Sequence, residues 1–152
     1  MGSYRKLLGF TGGVTLAFAV FQAVIVFSPS LSLYFGAPES LVANMVALVL
    51  VGFGVAGILT VFGLYALSGG GYIRALPWVK PMLVIISAVY TLRGLLLIPE
   101  ILVVMGLLQS AIPIAPRFVV LSLGSLLMGF VCIAGTRSGW HSLPSNGNDL
   151  AQ

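Results

Sequence analysis

Few residues in this chain have reactive chemistry, and fewer are spaced to act together. Arg93 and Glu100 are seven residues apart, which puts them on one face of a helix, and Tyr90 precedes Arg93 by three. Those three groups could form an ion pair, hold an anion or share acid–base work. Along an unbroken helix the Cα atoms of Arg93 and Glu100 would lie about 10 Å apart, and Pro99 between them can bend the chain. Cys132 and His141 are the only cysteine and histidine. The chain by itself therefore builds no intrachain disulfide, no CxxC pair, no thiolate zinc or iron–sulfur site and no bis-histidine haem. Gly52-Phe53-Gly54-Val55-Ala56-Gly57 spells GxGxxG, but it sits inside a long apolar run without a strand–turn–helix setting, so we assign it to helix packing and not to phosphate binding. No cofactor or metal is expected.

These residues sit in an unusual composition. Of 152 residues, 59% are apolar and 7% charged, with seven Lys and Arg against three Asp and Glu. The mean hydropathy is +1.15 and the isoelectric point about 9.7. Soluble domains carry about 25% charged residues, so this chain cannot cover its surface with polar groups and must be solvated by lipid. The excess of four positive charges is dispersed along the sequence, which argues against a nucleic-acid partner. The fold class expected is an all-α integral membrane protein.

A helix needs about 20 apolar residues to cross a hydrocarbon layer about 30 Å thick. Four segments meet this requirement, at about 7–27, 41–67, 79–98 and 118–135. Together they form one four-helix transmembrane domain over residues 1–135. Ser28-Pro29-Ser30, Pro38-Glu39-Ser40, Ser68-Gly69-Gly70-Gly71 and Pro99 punctuate the spans. Arg5-Lys6, the apolar run and Ala17-Phe18-Ala19 also resemble a signal peptide, but the run continues to Phe27, longer than such an h-region. Within residues 99–112, Glu100 to Leu108 is apolar but too short to span, and we expect a helix at the outer surface or a re-entrant piece. In that helix Pro99 fits the first turn, where Glu100 also favours the positive end of the dipole. The tail, 136–152, is polar, rich in Ser, Gly and Asn, and expected to be disordered.

Arg5, Lys6, Arg74, Lys80 and Arg137 fall on one side of this topology and Arg117, Glu39 and Glu100 on the other. Short cytoplasmic segments collect Lys and Arg, so both termini are expected in the cytoplasm, with a bacterial inner membrane as the setting. Tyr4, Tyr34, Tyr72, Trp78, Phe118 and Trp140 fall near span ends, where amphipathic rings favour the headgroups.

Helices in lipid gain little by burying apolar surface against each other, so small residues and interhelical hydrogen bonds must hold them. Gly52, Gly54, Gly57, Ser125 and Gly129 are the expected packing positions, with Gly9, Gly12 and Gly13 in the first span. With both termini inside, Gln22, Asn44, Tyr90, Arg93, Ser122 and Ser125 all fall in the outer half of the layer. Together with Glu100 they could surround an outward-facing crevice. Such a site suits a lipid headgroup, another amphiphile or a partner helix; the competing reading is ordinary interhelical bonding and snorkelling of Arg93 to the headgroups.

Two functions follow. The first is a noncatalytic membrane protein that self-associates or serves as an accessory subunit, with lipid, further copies or other membrane proteins as partners. The second is a small transporter, channel or lipid-binding protein that uses the crevice around Arg93. An enzyme ranks third, because no nucleophile–base–orienter arrangement is visible.

Overall fold

The computed structural model describes residues 2–107 and 116–143, and every element among them is a helix. They are α1 (Ser3–Ile25), α2 (Pro29–Tyr34), α3 (Glu39–Val42), α4 (Met45–Gly69), α5 (Val79–Leu95), α6 (Leu97–Val104) and α7 (Pro116–Gly139). Four stretches, Ser3–Ile25, Met45–Gly69, Val79–Val104 and Val119–Gly139, are long and apolar enough to cross a membrane. α1 packs mainly on α4 and α5 mainly on α7, while α1–α7 and α4–α5 contacts join the two pairs.

The surface agrees with a lipid environment. Val46 and Leu50 on α4 are each 69% exposed and Phe130 on α7 is 67% exposed, and in water such surface would be an aggregation hazard. The buried core lies toward the end of the bundle that carries the termini, where Leu8, Ala66, Val79, Leu83, Ile86, Cys132 and Leu143 cluster. Polar contacts tie that end together. Arg5 donates from Nε to the Gly70 carbonyl at 2.9 Å and from Nη2 to that of Gly71 at 3.2 Å, which satisfies acceptors at the C-terminus of α4 with a cation its dipole favours.

Several boundaries differ from the sequence reading. α1 starts at Ser3, because nothing in Tyr4-Arg5-Lys6 stops a helix, and it ends at Ile25. The second span does not run unbroken from Leu41. Asn44 is extended at φ −116°, and its side chain accepts a bond from Ala47 N–H at 3.2 Å, so it caps a helix that begins at Met45. The short α2 was not anticipated; Ser32 ties it to the end of α1 by donating to the Ile25 carbonyl at 2.9 Å. α5 ends at Leu95, four residues before Pro99, because proline lacks the N–H that would bond to that carbonyl and its ring crowds it. α6 then starts at Leu97 with Pro99 and Glu100 in its first turn, whereas the expected segment began at 99; residues 108–112 of that segment lie outside the described ones. α7 continues past Gly135 to Gly139, and Leu143 is buried, so the polar tail does not begin at Thr136.

Glycine sets the two main helix crossings. A Cβ on Gly12 would lie 2.9 Å from the Gly63 carbonyl oxygen, and one on Gly63 would lie 3.2 Å from that of Gly12, so α1 and α4 meet backbone to backbone. In the other pair a Cβ on Gly94 would lie 2.6 Å from Leu126 Cα, and one on Gly129 3.0 Å from Thr91 N.

Candidate functional site

Arg93, Glu100 and Ser122 converge from α5, α6 and α7. Arg93 Nη1 donates to Ser122 Oγ at 2.6 Å and to Glu100 Oε1 at 3.4 Å, and Ser122 Oγ donates to Glu100 Oε2 at 2.5 Å. The ring is closed: among the described residues each carboxylate oxygen accepts one bond, and the serine both accepts and donates. Charge-assisted bonds of this kind are the strongest available to side chains. The break at Leu96 and two long side chains overcome the separation that an unbroken helix would impose. The Arg93–Glu100 pair is the one ion pair among the described residues, with the arginine side chain 38% exposed and the glutamate 12%.

This geometry favours neutralisation over reaction. Ser122 is fully buried, so a substrate cannot approach Oγ without displacing α5 or α6, and the carboxylate beside it is already matched by a guanidinium. The open feature is the rest of that guanidinium, because Nε and Nη2 have no bonding partner among the described residues.

The other four residues of the expected crevice serve separate places. Tyr90 Oη pairs with Thr15 Oγ1 at 2.8 Å and links α5 to α1. Ser125 donates to the Leu121 carbonyl one turn back at 2.9 Å, so its hydroxyl is occupied within α7. Asn44 caps α4. Gln22 lines a cavity of about 270 Å³ between α1, α2 and α4, with Val26, Phe35, Leu48 and Gly52 among its walls.

The packing positions divide similarly. Gly52 faces Val26, and Gly129 meets Thr91. A Cβ added to Gly54 or Gly57 would meet nothing within 4 Å. These two glycines therefore pack against no helix among the described residues: they lie on the outward face of α4, and α1 crosses α4 further on, at Gly63. Sequence reasoning passed over Gly63 and Gly94. The proximity of Gly94 to the charged Arg93 was the available signal, since a helix that buries a charge against a neighbour needs a close crossing.

Thr136 was also passed over as a site residue. The hydroxyls of Thr11, Thr60, Ser87 and Thr91 donate to their own helix backbone at 2.7–3.0 Å, yet Thr136 Oγ1 is buried with no oxygen or nitrogen partner among the described residues. Thr136 lines a second cavity, of about 400 Å³, between α5 and α7.

No protein-family model matches the chain, and neither a curated protein nor a solved structure matches it. Its class rests on its own fold: a helical bundle with four segments of membrane-spanning length and a closed polar ring joining three of its helices.

Proposed function

We propose that this is a noncatalytic integral membrane protein that works through its lipid-facing helix surfaces, self-associating or serving as an accessory subunit of a larger membrane complex. The observation that carries the reading is the outward face of α4. The spanning window of α4 has a mean hydropathy of 2.6 and is 17% buried, against 33% for those of α1 and α7, and on it Gly54 and Gly57 leave a shallow notch beside exposed Leu50 and Val61. Small residues one turn apart allow a second helix to approach closely in lipid. The ring of Arg93, Glu100 and Ser122 supports the same reading, because it spends the intramembrane charges on holding α5, α6 and α7 together.

In this proposal the protein lies in a bacterial inner membrane with both termini cytoplasmic, since Arg5, Lys6, Arg74, Lys80 and Arg137 share one end. The stretch Val79–Val104, α5 and α6 with Leu96 between them, is 26 residues long, about 39 Å at helical rise. That exceeds a layer about 30 Å thick, so α6 reaches the outer headgroups.

Native mass spectrometry of the protein extracted gently from its own membrane tests the reading. A homomer or a stoichiometric heteromer, weakened by Gly54→Leu and Gly57→Leu, is the expected result. A monomer that retains a small molecule lost in Arg93→Ala would overturn it in favour of a second reading, a lipid-binding or transport protein. The observation favouring that alternative is the partly exposed Arg93 side chain, 38% accessible, with two guanidinium nitrogens unengaged among the described residues.

A further inference from the structure

The cavity between α5 and α7 lies toward the end of the bundle that carries the termini, well apart from Arg93 and from the notch on α4. α5 contributes Val84, Ser87, Ala88 and Thr91, the two hydroxyls being bonded to their own helix backbone; α7 contributes Ile133, Thr136 and Arg137, and Trp140 follows its end. Both sets recur at helical spacing, so each is one stripe of its helix. The volume, about 400 Å³, falls within the range of ligand-binding pockets.

Chemistry changes along the groove. Val84, Ala88 and Ile133 are apolar. Arg137 lies in the last turn of α7, where a long basic side chain can reach the headgroup level, and Trp140 has the ring type that favours that level. Lys80 Nζ lies 5.6 Å from the centroid of the Trp140 ring, which brings a second cation to the same rim. Neither Arg137 nor Lys80 forms an ion pair among the described residues.

We propose that this groove is a binding site for an anionic phospholipid. One acyl chain lies along Val84, Ala88 and Ile133, and the phosphate sits at the rim with Arg137 and Lys80. The order of the groups matches the order of the lipid: hydrocarbon along the apolar groove, phosphate at its basic rim. A second copy of this chain is a poor occupant, because two of its three acidic residues, Glu39 and Glu100, lie at the opposite end of the bundle, and this rim needs negative charge.

The test uses the full chain in a mild detergent, titrated with phosphatidylglycerol or with phosphatidylcholine of the same acyl chains and read by native mass spectrometry. One phosphatidylglycerol per protomer is expected, favoured at least about fivefold, as a single basic residue near anionic lipid provides. Arg137→Gln, at the exposed rim, should lower that preference about fivefold with unchanged helical circular dichroism. Ala88→Trp, which fills the groove, should reduce retention of both lipids; if it does not fold, Arg137→Gln decides alone. Equal retention of the two lipids, an unchanged preference in Arg137→Gln, or a protein subunit held in place of lipid would each overturn the proposal. A failure here leaves the α4 reading standing, since the two surfaces share no residue.

Discussion

If the Arg93–Glu100–Ser122 ring holds three helices together, the two charges must be strongly coupled. At 3.4 Å and an effective dielectric near 20, their attraction is about 5 kcal/mol, opposed by a desolvation cost of several kcal/mol. The single variants should be unequal. Arg93→Leu leaves a carboxylate 12% exposed with only Ser122 to bond, and removing one partner of a buried pair costs about 3–5 kcal/mol; we expect about 3. Glu100→Leu leaves a cation that is 38% exposed and long enough to snorkel, so its cost should be nearer 2 kcal/mol. The double variant replaces the pair with apolar groups and should lie within about 1–2 kcal/mol of the parent, which makes the coupling about 3 kcal/mol. Equilibrium unfolding in mixed micelles with increasing dodecyl sulfate, followed by circular dichroism, measures all four corners of the cycle. Additive single effects, or a Glu100→Leu loss larger than that of Arg93→Leu, would refute the reasoning.

Three further perturbations separate the packing from the bonding. Gly94→Ala places a methyl 2.6 Å from Leu126 Cα and should destabilise by about 1–3 kcal/mol, whereas Gly54→Ala meets nothing within 4 Å and should stabilise the monomer by up to about 1 kcal/mol through helix propensity; the same unfolding assay compares them. Tyr90→Phe removes the 2.8 Å bond to Thr15 and should cost about 0.6 kcal/mol, a loss that Thr15→Val should produce equally and that the double variant should not exceed. Thr136→Val removes a buried unbonded hydroxyl, so in lipid-free micelles it should raise stability by about 1 kcal/mol, measured as a shift of the unfolding midpoint.

Composition and hydropathy already point to lipid as the solvent and to four segments of spanning length, because a chain with 7% charged residues has too few polar groups to cover its surface, and the length of an apolar segment is recorded in local sequence. The pairing of Arg93 with Glu100 was legible as well, from a spacing of seven and a proline between them. What the spacing leaves open is the third member, since Ser122 comes from another helix and only the α5–α7 crossing brings its Oγ within 2.6 Å of Arg93. Tertiary structure likewise decides which glycines work. Gly54 and Gly63 are indistinguishable in a hydropathy profile, but helix rotation puts one against Leu16 and the Gly12 carbonyl and turns the other outward. The seven polar residues of the expected crevice do not form one site. Asn44 caps its own helix and Ser125 bonds its own backbone, because a short polar side chain in an apolar layer takes the nearest backbone group on offer. Depth follows from the order of residues along the chain; direction around each helix axis is fixed only when the neighbouring helices pack.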